Sequence, residues 1–174
     1  MVLIHRSRHI PFDDNGIEGL PLTLIIVMIV LAITVPLVFG SLRAYDRSRI
    51  ETSLISEIDD FISLVQLVYT SGPGNSVVVD FNVQTGSFVG IDSVTFGDAA
   101  GGDMASVIRY IVDDRPEQLI ILKNPNVPMM SLDNESFQIP SGSYRIKADC
   151  AMGTADLNND GLSDDTFIIL SLVY

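Results

Sequence analysis

The segment Asp156-Leu157-Asn158-Asn159-Asp160-Gly161-Leu162-Ser163-Asp164-Asp165 places oxygen-bearing side chains at alternate positions, with a glycine after the third. A short loop wraps Ca²⁺ in this way: Asp156, Asn158 and Asp160 offer side-chain oxygens, Gly161 permits the sharp turn, Leu162 offers its carbonyl, and Asp164 closes the ring directly or through water. Phe167 stands where an EF-hand would place its bidentate glutamate, and both flanks read as strands, so a calcium loop set in a β-hairpin is expected here. The alternative is a solvated acidic turn, but Asp156, Asp160, Asp164 and Asp165 repel one another without a cation between them.

Other reactive groups are few. Asn134-Glu135-Ser136 fits the N-glycosylation pattern in a polar stretch between expected strands. Cys150 is the only cysteine, so no intrachain disulfide forms, and a small buried hydrophobe is its expected role. Both histidines, His5 and His9, lie within the first nineteen residues, so the rest of the chain cannot use histidine to activate a nucleophile or bind zinc. The glycines from Gly97 to Gly102 lack the following Lys-Ser/Thr of a phosphate-cradling loop. An enzyme is not expected.

The elements that must carry these groups change character along the chain. From Gly19 through Leu42 no residue is ionisable, and at a helical rise of ~1.5 Å this run crosses a ~30 Å hydrocarbon core. Beyond Arg43 the apolar residues Ile50, Leu54, Ile58, Phe61, Val65 and Val68 recur every three or four positions, with Ile55, Ile62 and Tyr69 beside them. This is one amphipathic stripe. Ser71-Gly72-Pro73-Gly74 should end the helix, so a single helix is expected from about Leu20 to Thr70. Pro36 takes an amide donor from the carbonyl of Ala32 and predicts a kink, although membrane helices tolerate proline.

After Gly74 the period falls to two. Ser76 to Val83 and Phe88 to Phe96 read as a hairpin around Gln84-Thr85-Gly86-Ser87. Met104 to Val112 is ambiguous between strand and helix, and Gln118 to Lys123 reads as a strand. Phe137-Gln138-Ile139 and Tyr144 to Ala148 read as a second pair around Pro140-Ser141-Gly142, and Thr166 to Tyr174 as the last strand. The fold class is therefore α+β: a long N-terminal helix, hydrophobic and then amphipathic, followed by a predominantly antiparallel β head.

Gly16-Ile17-Glu18-Gly19 stands directly before Leu20-Pro21-Leu22-Thr23-Leu24-Ile25-Ile26, so the candidate cleavage junction Gly19-Leu20 precedes the apolar run. A secretory signal would put its site after that run. This arrangement resembles the class III signal peptide of type IV pilins, above all archaeal pilin-like proteins. Bacterial pilins usually carry glutamate as the fifth residue of the mature chain, and here that residue is Leu24. The likeness covers roughly the first fifty residues. It implies a leader over 1–19 removed by a prepilin peptidase, a transmembrane and filament-core helix over 20–42, its amphipathic continuation over 43–72 and an extracellular head over 73–174. It also implies self-association through the helix, assembly with other pilins, and a head that sets surface properties or adhesion. The alternative is an uncleaved or non-polymerising membrane-anchored calcium-binding or recognition module.

The formal charge is −12; residues 1–19, which hold Arg6, Arg8, Asp13, Asp14 and Glu18, contribute −1 of it, leaving −11. Such a chain has no basic patch for nucleic acid. Loop charge leans against an external head, because Arg43, Arg47 and Arg49 outnumber Arg6 and Arg8. The resemblance, the calcium loop and the glycosylation pattern all place the head outside.

Overall fold

The computed structural model describes residues 15–113, 115–153 and 165–173, with side chains from Pro21 onward. The chain divides into two units, Met1–Ser41 and Leu42–Tyr174. Helix α1, Asn15–Ser71, belongs to both.

In the first unit, every described side chain from Pro21 to Ser41 is exposed. Pro36 lies inside the helix, which continues through it. The hydroxyls in this stretch are satisfied locally: Thr34 Oγ1 donates to the Val30 carbonyl at 2.7 Å and Ser41 Oγ to that of Leu37 at 2.9 Å. Bonds of this kind let a hydroxyl reside in an apolar surrounding without an unmet donor.

The second unit opens with the amphipathic part of α1. Ile50, Leu54, Ile58, Phe61, Val65 and Val68 are all buried, as their spacing predicts. Of the neighbouring row, Ile62 and Tyr69 are partly buried, whereas Ile55 stays exposed. The helix stops where glycine can adopt a left-handed conformation: Gly72 has φ +89° and donates its N–H to the Tyr69 carbonyl. Asn75 Nδ2 donates to the carbonyls of Ser71 and Gly72, both at 2.9 Å, covering helix-end acceptors that would otherwise face water alone.

Among the described residues eight strands follow: β1 Ser76–Val83, β2 Ile91–Phe96, β3 Val107–Val112, β4 Gln118–Ile121, β5 Met129–Ser131, β6 Phe137–Ile139, β7 Gly142–Met152 and β8 Thr166–Leu172. They form two four-stranded sheets, in the orders β1-β7-β8-β5 and β4-β3-β2-β6. All pairs are antiparallel except β5 with β8. The fold class is α+β.

The pairing corrects both hairpins expected from sequence. β1 pairs with β7, with Val83 opposite Gly142, while β2 pairs with β3 and β6. The connections after Val83 and after Ile139 therefore cross between sheets. The reason lies in α1, whose apolar stripe is covered from two sides. Phe61 meets Phe81 of β1 at 5.7 Å between ring centroids and Phe96 of β2 at 4.8 Å, and those two rings meet each other at 5.4 Å. One helix ring thus meets one aromatic from each sheet. The ambiguous segment resolves as strand β3 from Val107, and β5, whose three residues are too few for alternation to register, was not legible beforehand.

Strand directions define two ends of this unit. At the near end lie Leu42 to Arg47 of α1, the β1–β2 connection and the β3–β4 connection, joined by bonds from Phe88 N–H to Asp46 and from Arg47 to Asp113. At the far end lie the helix terminus, the start of β1, the end of β7 and the start of β8, with Gly74 and Asn75 bonded to Cys150.

Candidate functional site

The β7–β8 hairpin is the scaffold of the candidate metal loop. Its register runs from Ile146 opposite Leu172 to Met152 opposite Thr166, and Gly153 N–H donates to the Asp165 carbonyl at 3.0 Å. The flanks of the acidic segment are thus paired strands at the far end. Asp156, Asn158, Asp160, Leu162 and Asp164 lie outside the described residues. Among the described residues no group of three or more His, Cys, Asp or Glu is placed to hold a metal ion.

Within that hairpin, Asp165 is buried, as is Cys150. Burial raises the pKa of the Tyr69 phenol above 10.0, and its electrostatic interactions with Asp165 and, once that thiol ionises, with Cys150 push in the same direction. Burial likewise raises the Cys150 thiol above its usual 9.0, which keeps it protonated and packed as a small hydrophobe. Sequence inspection had singled out Cys150 but not its proximity to Tyr69, because one lies on β7 and the other in the last turn of α1.

Asn134 occupies an exposed turn between β5 and β6 with φ +62°, a conformation that asparagine tolerates better than most residues. Ser131 fastens the turn: its Oγ accepts from the N–H groups of Asp133 and Glu135, and its carbonyl from Asn134 N–H.

At the near end, Arg47 Nη2 lies 2.7 Å from Asp113 Oδ2 and Arg43 Nη2 lies 3.5 Å from Asp113 Oδ1. Asp113 itself holds φ +54° and donates its N–H to the Gly90 carbonyl, so β3 ends against the β1–β2 connection. Asp46 accepts the Phe88 N–H at 2.8 Å. These contacts were not foreseen. The available signal was the pair Arg43 and Arg47, like charges one helical turn apart, which are unfavourable without an anion between them.

The largest continuous feature is the apolar surface of α1 before Arg43. This is one helix long and apolar enough to cross a membrane, near the N-terminus, and none of its most apolar window is buried. The molecule is thus a long N-terminal helix, apolar over its first part, followed by a β-sheet head, an architecture consistent with pilin-like topology in general and compatible with a structural subunit of that kind. Compared with protein-family models, curated proteins and solved structures, the chain matches none.

Proposed function

We propose that this chain is a pilin-like structural subunit of an archaeal type IV pilus-type surface filament. In this reading a prepilin peptidase cuts between Gly19 and Leu20, residues 20–42 hold the protein in the membrane until assembly, and the same helix then packs against other pilins in the filament core. The head faces outward for adhesion or surface character, with Ca²⁺ as a structural ion in the loop from Asp156 to Asp164 and a glycan site at Asn134. No catalytic step belongs to this role.

The observation that carries the reading is the contrast within α1. Its uncharged surface from Pro21 to Leu42 is exposed, whereas Ile50 to Val68 present a stripe sealed by two sheets. Apolar surface left in water costs about 25 cal/mol per Å², so a surface of this extent calls for lipid or other helices. Close helix packing can replace lipid contact without introducing water.

Mass spectrometry of the surface-exposed protein tests the first step. The expected mature N-terminus is Leu20, and a bulky charged residue in place of Gly19 should block processing. An intact leader on the exported protein would instead favour the membrane-anchored recognition module.

A further inference from the structure

We propose that β4 is a docking edge for a second copy of this chain: two heads join β4 to β4, antiparallel, about a two-fold axis through Ile120. The contact belongs to the head alone and is independent of what covers residues 20–42.

In the sheet ordered β4-β3-β2-β6, β4 is an edge, and among the described residues β3 is its one strand partner. Residues of an antiparallel strand turn their N–H and C=O groups alternately toward one side and the other. Leu122 N–H donates to the Ser106 carbonyl at 2.9 Å, and the register sets Ile121 opposite Val107 and Leu119 opposite Arg109. Gln118, Ile120 and Leu122 therefore bond toward β3, while Leu119 and Ile121 direct their backbone groups to the open edge. Such an edge is a template for another strand.

The side chains at those same two positions are apolar and uncovered. Leu119 is 51% exposed and Ile121 is 55% exposed, on the face opposite the one that sends Leu122 into the core. Their cross-strand neighbours on β3 are Arg109 and Val107, so no carboxylate stands opposite them there. The other edges suit a second copy less well. β1 carries Asp80, paired with Arg145, in its exposed row, and β5 and β6 have three residues each.

Charge selects both the occupant and the register. Glu117 and Lys123 are exposed, stand three residues to either side of Ile120, and form no ion pair among the described residues. Antiparallel pairing centred on Ile120 sets Leu119 opposite Ile121 of the second copy and Glu117 opposite its Lys123, and the two-fold axis repeats each pair. All four positions share the alternation that faces the open edge, so the same register satisfies the backbone. Opposite charges directly across two strands attract and like charges repel. Centring on Leu119 instead would oppose Arg115 to Lys123, and centring on Ile121 would leave Glu117 facing Pro125. The contact is self-complementary and closes at two copies. Strands of this length bury less than the ~1,200 Å² of a stable interface, so the association is weak and covalent capture is the suitable readout.

Each variant is made in the full chain with Cys150→Ala, which removes the only native thiol, and is held in detergent micelles under mild oxidation. Leu119→Cys and Ile121→Cys, both at exposed positions, are oxidised separately and as a mixture. Directly opposite residues of a hydrogen-bonded pair lie about 5.5 Å apart at Cα, within disulfide reach. A residue and its own copy would be offset by two positions, about 7 Å along the strand in addition to the spacing between strands, which is beyond that reach.

The mixture should form linked dimer several-fold faster than either variant alone. Equal rates in all three, as association through the helix without a head register would give, would overturn the proposal, and so would the absence of any link. Glu117→Lys in both chains of the mixture should slow the link several-fold, as should Lys123→Glu, and the two together should restore it, because the pair is then reversed and not broken. A double variant as slow as the single ones would overturn the register. Leader cleavage and filament assembly are unaffected by either result.

Discussion

Tyr69 shows how one side chain records its surroundings. Its phenol is partly buried in the last turn of α1, and burial, Asp165 and Cys150 together hold its pKa above 10.0. Since the folded value exceeds the unfolded one, the stabilisation is fully present below about pH 10 and is lost as pH rises through the folded value, because the unfolded chain gives up its proton first. Tyr69→Phe cannot ionise and should flatten the alkaline fall in melting temperature more than it changes stability at neutral pH. Thermal melts from neutral to strongly alkaline pH check this, and an unchanged alkaline limb would remove Tyr69 from the account. Tyr110, raised by burial and by Glu51, and Cys150, raised by burial, contribute the remaining slope.

At the scale of elements, α1 performs two tasks that can be separated by mutation. In its first part the surface must be apolar for whatever covers it, so Ile29→Asp should abolish filament assembly; a carboxylate at the centre of an apolar span costs about 2.5–3.5 kcal/mol even with relaxation. Electron microscopy of cells carrying the variant checks this, and normal filaments would argue for a tether. The head should keep its melting temperature in that variant. In its second part the reverse holds: Phe61→Ala removes a fully buried ring that touches Phe81 and Phe96, and should cost about 3–5 kcal/mol. A head that melts within a few degrees of the parent would show that the two sheets hold together without the helix. Apart from β5, and β3, which stayed open between strand and helix, the strands were legible as alternating runs, because burial on one face imposes period two wherever the partner lies. Which strand pairs with which was not legible, since Ser76–Val83 has the same alternation beside β2 as beside β7.

For the whole molecule, the segment proposed to hold Ca²⁺ lies in sequence between β7 and β8. An ion that binds the folded head better than the unfolded chain must stabilise it by mass action. The head should therefore melt higher with Ca²⁺ than with chelator, Mg²⁺ should substitute poorly, and Asp160→Ala should remove most of the shift. The soluble fragment for this measurement has to begin at Leu42, because a fragment starting at Gly74 would lack Ile50, Leu54, Ile58, Phe61, Val65 and Val68, which belong to the core. A melting temperature indifferent to calcium would make the segment from Asp156 to Asp164 an acidic turn.

What the sequence determined by itself was local and periodic. The uncharged run to Leu42, the stripe from Ile50 to Val68, the stop at Gly72 and the alternation of the strands each follow from the identity of residues within a few positions of one another, and the structure carries all of them. The separation of β1 from β2, the parallel partner of β8, the Arg43–Asp113–Arg47 cluster and the bond from Phe88 N–H to Asp46 were decided only by tertiary structure. Each joins residues tens of positions apart, and their pairing is selected by a condition no local pattern contains: one helix stripe had to be covered from two sides at once, and the connections between those sides had to cross its base.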